Sequence, residues 1–220
     1  LADELGYLPL YLRYNSGLPV ASNGRALADM LETLLNNCSS SVEELAIMGH
    51  SMGGLVARSA CHHGHAAGHG WPEYLRKLIF LGTPHQGAPL ERGGHGLDTV
   101  MGLSPYLAPF THLSRARSAG ITDLRHGTVS AWEDFVPRPS KVHCYAAAAV
   151  RAEKRSMLGD RLIGDGLVPL NSALGIHRDT TRSLSIPEHR KWIGYRMGHR
   201  ELLSRPEVYG QISAWLQEPV

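Results

Sequence analysis

Apolar runs and amphipathic stretches alternate along the chain, and this alternation predicts its elements. Apolar runs predict strands at Leu8–Tyr14, Glu44–His50, Lys77–Gly82, Lys141–Val150 and Arg182–Ile186. Apolar residues at helical spacing predict three helices: one from Ser22 or Asn23 to about Asn37, one from Met52 to about His63, and one at Pro206–Leu216. Repeated strand–helix pairs are typical of a mostly parallel sheet flanked by helices, so the predicted fold class is α/β.

The segment between the third and fourth predicted strands, residues 87–140, has a different character. It is rich in Gly, Pro, Ser and His and lacks a long strand pattern, although short helical stretches fit Leu97–Leu103 and Thr111–Ala119. Its position after a buried strand indicates an insertion. We therefore expect residues 1–86 and 141–220 to form the core and residues 87–140 to form a cap upon it.

Composition excludes several classes of protein. Hydrophobic residues make up 43% of the 220 residues, which is enough for a core and excludes a mainly disordered chain. Lys and Arg number 22 against 20 Asp and Glu, a net charge of +2 that argues against a dedicated nucleic-acid binder. The three cysteines (Cys38, Cys61 and Cys144) are too scattered for a disulfide framework or a zinc site, and resemble small buried hydrophobes.

The sequence Gly49-His50-Ser51-Met52-Gly53-Gly54 lies where a predicted strand ends and a predicted helix begins. This is the position of a nucleophile elbow, in which a serine is held on a tight, strained turn. The residues two positions before and two positions after the serine must lack a side chain to avoid collision in this turn. The helix N-terminus also presents free N–H groups to developing negative charge. The context favours a nucleophilic Ser51 over an ordinary serine in a glycine-rich turn.

A nucleophilic serine needs a base, and the base needs a group that orients it. In this topology the chain order is serine, acid, histidine. The best acid is Asp165, in a loop flanked by glycines, with Asp160 and Asp179 as alternatives. The best base is His199, just before the last helix, with His189 and His177 as alternatives.

Four segments together resemble the serine α/β-hydrolases: Gly49–Gly54, Phe80–Leu90, Gly164–Pro169 and Gly198-His199. The resemblance is to the bacterial lipase/esterase-like branch related to GPI inositol-deacylases, and Ser118–Arg125 also looks familiar from that branch. It implies an α/β-hydrolase fold with Ser51 as nucleophile, Asp165 as acid and His199 as base. The backbone N–H of Met52 would then be one oxyanion donor.

One departure from the family concerns the oxyanion site. Members carry a strand that ends in a His-Gly loop, upstream of the equivalent of Leu8–Tyr14, and this loop supplies the second oxyanion N–H. The chain begins at Leu1 without a Met, as a processed chain or a fragment would, and starts too late to contain this loop. A non-catalytic scaffold or binding module therefore stays open as an alternative, as do acyl transfer and amide hydrolysis with the same triad.

The implied activity is hydrolysis of carboxylic esters through an acyl-serine intermediate. We expect His50, His85, Leu103 and Phe110 to bind the substrate, the last two from the apolar underside of the cap; the alternative for His85 is a role in shaping its loop. The expected partner is a small-molecule or lipid ester, with no nucleic acid and with transient contact between the cap and a lipid surface. Triad chemistry needs no cofactor or metal, and the cluster of His62, His63, His65 and His69 is more typical of a solvated helix end.

Overall fold

Four parallel strands form one sheet in the computed structural model, which describes residues 2–38, 42–88, 118–153 and 164–220. The strands are β1 (Leu45–His50), β2 (Leu75–Leu81), β3 (His143–Val150) and β4 (Lys191–Tyr195), and they lie side by side in that order. Each pairs in parallel with the next, as in the pairs Gly49 with Phe80 and Ala149 with Gly194. The predicted α/β class, with a parallel sheet flanked by helices, is confirmed.

Helices connect and cover these strands. The α-helices of the described residues are α1 (Ala2–Leu5), α2 (Val20–Asn37), α3 (Met52–Ala66), α4 (Ala119–His126), α5 (Leu170–Ala173) and α6 (Pro206–Gln217). Short 3₁₀ helices lie at Trp71–Glu73, Thr180–Arg182, Glu188–Arg190 and His199–Leu203. No described helix is both long enough and apolar enough to cross a membrane.

The sheet is buried on both faces because successive strand residues point to opposite sides. In β2, Leu78 and Phe80 pack into the cluster that includes α3, while Ile79 and Leu81 pack into the cluster that includes α6. The continuous apolar sequence of β2 therefore follows from its central position. The sheet also directs its carboxyl ends to one edge, where the ends of parallel strands commonly carry a binding or active site.

Helix α2 begins earlier than predicted, and its cap comes from elsewhere in the chain. Neither Ser22 nor Asn23 caps it, since the helix begins at Val20 after Pro19. The backbone N–H of Val20 donates to Oδ2 of Asp123, at 2.8 Å. A remote carboxylate thus satisfies a free N–H at the helix start, which is a role that local sequence cannot reveal.

The strand predicted at Leu8–Tyr14 is wrong. The segment forms no ladder with any described strand, and Leu8, Leu10 and Tyr11 are mostly exposed. Only its end packs inward, where Tyr14 contacts the core. An apolar, β-prone sequence becomes a strand only where a neighbouring strand accepts its backbone hydrogen bonds.

The strand predicted at Arg182–Ile186 is also wrong, and the true last strand, β4, was missed. Leu184 and Ile186 are buried, which produces the strand-like pattern, but Ser185 between them has a φ of 50° and breaks the extended conformation. In β4, by contrast, Gly194 makes room for its neighbours, since a Cβ there would lie 2.8 Å from Sδ of Met197. A short strand with one lysine and one glycine carries a weak sequence signal.

The expectations for the cysteines and for the cap have different outcomes. Cys61 and Cys144 are buried, but Cys38 is exposed because it follows the end of α2, where the chain leaves the core. The predicted cap falls largely on residues 89–117, which lie outside the described residues, as do Leu103 and Phe110. Of the two predicted cap helices, only Ser118 and Ala119 lie among the described residues, and Ala119 is the first residue of α4.

Candidate active site

Ser51 occupies a strained turn between β1 and α3. Its φ of 54° and ψ of −126° lie in a region that non-glycine residues rarely adopt, at a cost of about 1–3 kcal/mol. Its backbone N–H donates to the carbonyl of Leu81 at 2.9 Å, which ties the turn to the end of β2. Ser51 immediately precedes Met52, the first residue of α3, and the first N–H groups of an α-helix have no partner within the helix.

Two of the three glycines around Ser51 are confined by their neighbours, and the third is not. A Cβ on Gly49 would lie 2.5 Å from the backbone nitrogen of Gly54, so this position must lack a side chain. A Cβ on Gly53 would meet nothing closer than 3.9 Å, so the expectation that this position needs a glycine for space is wrong. Gly54 is the second confined position, because a Cβ there would collide with the side chain of Thr83.

His199 and Asp165 form a buried pair at the same edge of the sheet. Nδ1 of His199 lies 2.6 Å from Oδ2 of Asp165, and both side chains are almost fully buried. The other carboxylate oxygen, Oδ1, accepts hydrogen bonds from the backbone N–H groups of Leu167 at 2.9 Å and Val168 at 2.8 Å. Since the carboxylate accepts, Nδ1 carries the proton, and Nε2 of His199 is left as an acceptor.

Two elements fix the position of this pair. Asp165 lies in the loop after β3, where Nε of Arg151 donates to its carbonyl at 3.1 Å. His199 begins the 3₁₀ helix His199–Leu203, whose start is stabilised by Glu201, since its carboxylate accepts the N–H of Gly198 at 2.7 Å. That N–H, with Arg205 after it, lowers the pKa of Glu201, so the capping carboxylate stays charged.

Two contacts link His199 to the turn that holds Ser51. The residue before Ser51, His50, lies with its ring centroid 4.6 Å from that of His199. The residue after Leu81, Gly82, lies directly against the imidazole, since a Cβ there would be 3.0 Å from Cε1 of His199. Ser51 directly follows His50, and its backbone N–H donates to the carbonyl of Leu81, the residue before Gly82. The three triad residues predicted from the sequence therefore lie at one edge of the sheet.

The ring of His50 packs against that of His199. Its Nε2–H donates to the backbone carbonyl of His199 at 3.1 Å. Burial, followed by the charge of His199, lowers the pKa of His50 to about 4, so the ring is neutral at physiological pH. These contacts favour a role in holding His199 over the substrate-binding role that we predicted.

His85 lies in a different environment from the triad. It is buried, its ring stands edge-on to Phe80 with centroids 4.5 Å apart, and its Nδ1 lies 3.4 Å from Nη1 of Arg58. Its backbone N–H donates to the carbonyls of Thr83 at 2.9 Å and Ser172 at 3.2 Å. These contacts favour the loop-shaping alternative over substrate binding.

The alternative acid and bases that the structure describes lie elsewhere on the surface. Asp179 is exposed and caps Thr180–Arg182 by accepting from the N–H of Thr181 at 3.0 Å. His177 is bound to the backbone of Asp179, and His189 is exposed. Asp160 lies outside the described residues.

No group of three potential ligands among the described residues could hold a metal ion. In the histidine cluster at the end of α3, His62 lies 3.4 Å from a carboxylate oxygen of Glu133, and His69 lies 3.6 Å from one of Asp29. These histidines make separate pairs.

Comparisons with known proteins agree with the fold. A family model described as PGAP1-like alpha/beta domain matches residues 19–133. Lipase BlEst2 of Bacillus licheniformis is similar in structure, with a TM-score of 0.56 and 18% identity over 90% of this chain and 75% of that one. The metagenomic carboxyl esterase MGS0156 has a TM-score of 0.59 and 17% identity, over 99% of this chain and 68% of that one. No curated protein matches the sequence.

Proposed function

The chain belongs to the PGAP1-like alpha/beta domain family and has the α/β-hydrolase fold, and on that premise we propose that it is a serine hydrolase that cleaves carboxylic esters. The observation that carries the proposal is the buried pair of His199 and Asp165, 2.6 Å apart, at the edge of the sheet that holds the strained Ser51. Such a pair leaves Nε2 of His199 ready to accept a proton, which is the function of a general base.

In the first half of the reaction, Nε2 of His199 takes the proton of Ser51 as Oγ attacks the ester carbonyl carbon. The carbonyl oxygen becomes an oxyanion that accepts a hydrogen bond from the N–H of Met52 at the start of α3. Asp165 holds the imidazole in the required tautomer and stabilises the imidazolium. Collapse of the tetrahedral intermediate breaks the ester C–O bond, and His199 gives its proton to the departing alkoxide.

In the second half, water resolves the acyl-Ser51 intermediate. His199 takes a proton from the water as its oxygen attacks the acyl carbon, and the same oxyanion donor is used again. Collapse releases the carboxylic acid and returns the proton to Oγ of Ser51. The cycle balances, since one ester and one water molecule are consumed and one alcohol and one carboxylic acid are released.

We extend the proposal to small-molecule or lipid esters with an apolar acyl or alcohol group. The support is the names of the two similar structures, one a lipase and one a carboxyl esterase. Leu103 and Phe110, from the predicted cap, remain the proposed apolar contacts. Rates on matched series of charged and uncharged esters test this part: comparable rates would contradict it.

The test of the mechanism is covalent labelling with a fluorophosphonate, followed by peptide mapping. We expect one adduct, on Ser51, and its loss in Ser51→Ala together with a fall in ester hydrolysis of at least about 10⁴-fold. Ser213→Ala, on the outer helix α6, is the matched control and keeps both the label and the activity. Full esterase activity in Ser51→Ala, or a folded chain that takes no label, would refute the proposal.

A further inference from the structure

Among the described residues, Arg58 is a buried cation without an anionic partner. It lies on α3, and its side chain is almost completely inaccessible. Nη2 donates to the carbonyl of Val136 and Nη1 to Nδ1 of His85, while Nε has no hydrogen-bond partner among the described residues. No carboxylate of the described residues lies within ion-pair distance of this guanidinium. A buried charge of this kind is costly unless something compensates it.

The partner of Arg58 supplies a second free donor. Because guanidinium only donates, Nδ1 of His85 must accept, and the ring proton therefore lies on Nε2. Nε2 of His85 is buried and, within the part of the chain described, has no partner. Burial and the adjacent Arg58 hold the pKa of His85 well below its usual range, so the ring is neutral and keeps this single donor. Both unpartnered atoms, Nε of Arg58 and Nε2 of His85, are thus N–H groups that need an acceptor.

A cavity of about 30 Å³ adjoins these two side chains. Its lining includes the buried residues Arg58, His85, Val129 and Val136 and the exposed residues Glu133 and Asp134. The carboxylate of Glu133 pairs with His62, and the backbone carbonyl of Asp134 accepts from Arg182 at 3.0 Å. The cavity is therefore bordered by exposed side chains, including His126 and Arg182, as well as by buried ones.

Size and charge together select the occupant. A water molecule needs about 10–15 Å³, so the cavity has room for one or two groups of about that size. A water would satisfy the two N–H groups but would leave the charge of Arg58 uncompensated. We propose that the cavity is a binding site for a small inorganic anion, a halide such as chloride, held by Arg58 and His85.

The direct test is anomalous diffraction from crystals of the full chain grown or soaked in sodium bromide. We expect a bromide peak in the cavity, within contact distance of Nε of Arg58 and Nε2 of His85. A water, or a carboxylate of the chain itself, in that position with no anomalous peak would overturn the proposal. This measurement uses the unaltered protein and so does not depend on whether a variant folds.

A second test is thermal unfolding in sodium chloride against sodium gluconate at equal ionic strength. A ligand that binds only the folded chain raises its Tm with concentration, so we expect a rise specific to chloride. His85→Phe keeps a ring edge-on to Phe80 but removes the donor, and we expect its apparent chloride affinity to be about tenfold weaker. Arg178→Gln, which removes an exposed cation, is the control and keeps the wild-type response. Equal Tm values in the two salts would overturn the proposal.

Discussion

His199 and His85 are both buried imidazoles that follow a strand of the same sheet, yet opposite charges face their Nδ1 atoms. His199 faces the carboxylate of Asp165 at 2.6 Å, whereas His85 faces the guanidinium of Arg58 at 3.4 Å. The carboxylate makes Nδ1 a donor and frees Nε2 as an acceptor. The guanidinium makes Nδ1 an acceptor and leaves Nε2 as a donor.

In both histidines, the partner of one ring nitrogen decides the chemistry of the other. An imidazole with a free acceptor can take a proton from Ser51, which is the role we propose for His199. An imidazole with a free donor can bind an anion but cannot act as a base through that nitrogen, which is the role we propose for His85. The two histidines should therefore respond oppositely to changes in their partners.

The largest expected effect comes from changing the partner of His199. In Asp165→Asn the side-chain amide can present its N–H₂ to Nδ1, so the imidazole adopts the other tautomer and its Nε2 becomes a donor like that of His85. We expect kcat/KM on a short-chain nitrophenyl ester to fall by about 10⁴-fold, with the fold retained. Steady-state kinetics with circular dichroism checks both parts.

The matched control for that variant is Asp179→Asn, which alters an exposed carboxylate that the sequence left as an alternative acid. We expect its kcat/KM to stay at the wild-type value. A large loss in Asp179→Asn, or an Asp165→Asn enzyme with near wild-type activity, would break the distinction between the two histidines.

The sequence predicts the environment of His199 far better than that of His85. Ser51 lies where a predicted strand ends, Asp165 lies in a loop flanked by glycines, and His199 lies just before the last helix. These local patterns, together with chain order, are enough to nominate the three residues. The pairing of Arg58 with His85 has no such signal, because Arg58 looks like any helix residue and its partner is 27 residues away. Tertiary packing alone creates that environment.

The dependence on tertiary packing also explains which strands were predicted correctly and which were not. The strands β2 and β3 were predictable because burial on both faces demands continuous apolar sequence. The segment Leu8–Tyr14 has a similar pattern but no described strand beside it, and local pattern carries no information about pairing partners. The missed strand β4 is defined by its pairing with β3 rather than by its own composition.

A smaller effect is expected from the acid titration of His85. Its pKa in the folded chain is well below 6.5, so as the pH falls through about 6.5 the unfolded chain binds the proton first. Stability from the neutral ring is therefore complete above that pH and declines below it, by about 1.4 kcal/mol per pH unit. His85→Phe should remove about one proton from the uptake linked to unfolding, measured by urea denaturation between pH 6.5 and 5.

His189 is exposed, so His189→Gln is the control for this titration. We expect this variant to leave the pH slope of the free energy of unfolding unchanged. His50 contributes to the pH slope of the free energy of unfolding with the same sign, because its pKa is lowered to about 4. This contribution persists in both variants. An unchanged slope in His85→Phe would mean that His85 titrates normally, and its proposed environment would then be wrong.

The smallest effect concerns His50, the neutral imidazole that donates to the backbone carbonyl of His199. His50→Phe keeps the ring against His199 but removes this hydrogen bond, which is worth about 1 kcal/mol. We expect kcat to fall by about fivefold while KM stays constant, because the substrate is still bound but the base is less well positioned. A rise in KM with unchanged kcat would instead assign His50 to substrate binding, the role that the sequence predicted. Measured beside Asp165→Asn, this split separates a residue that holds the backbone of the base from one that sets its tautomer.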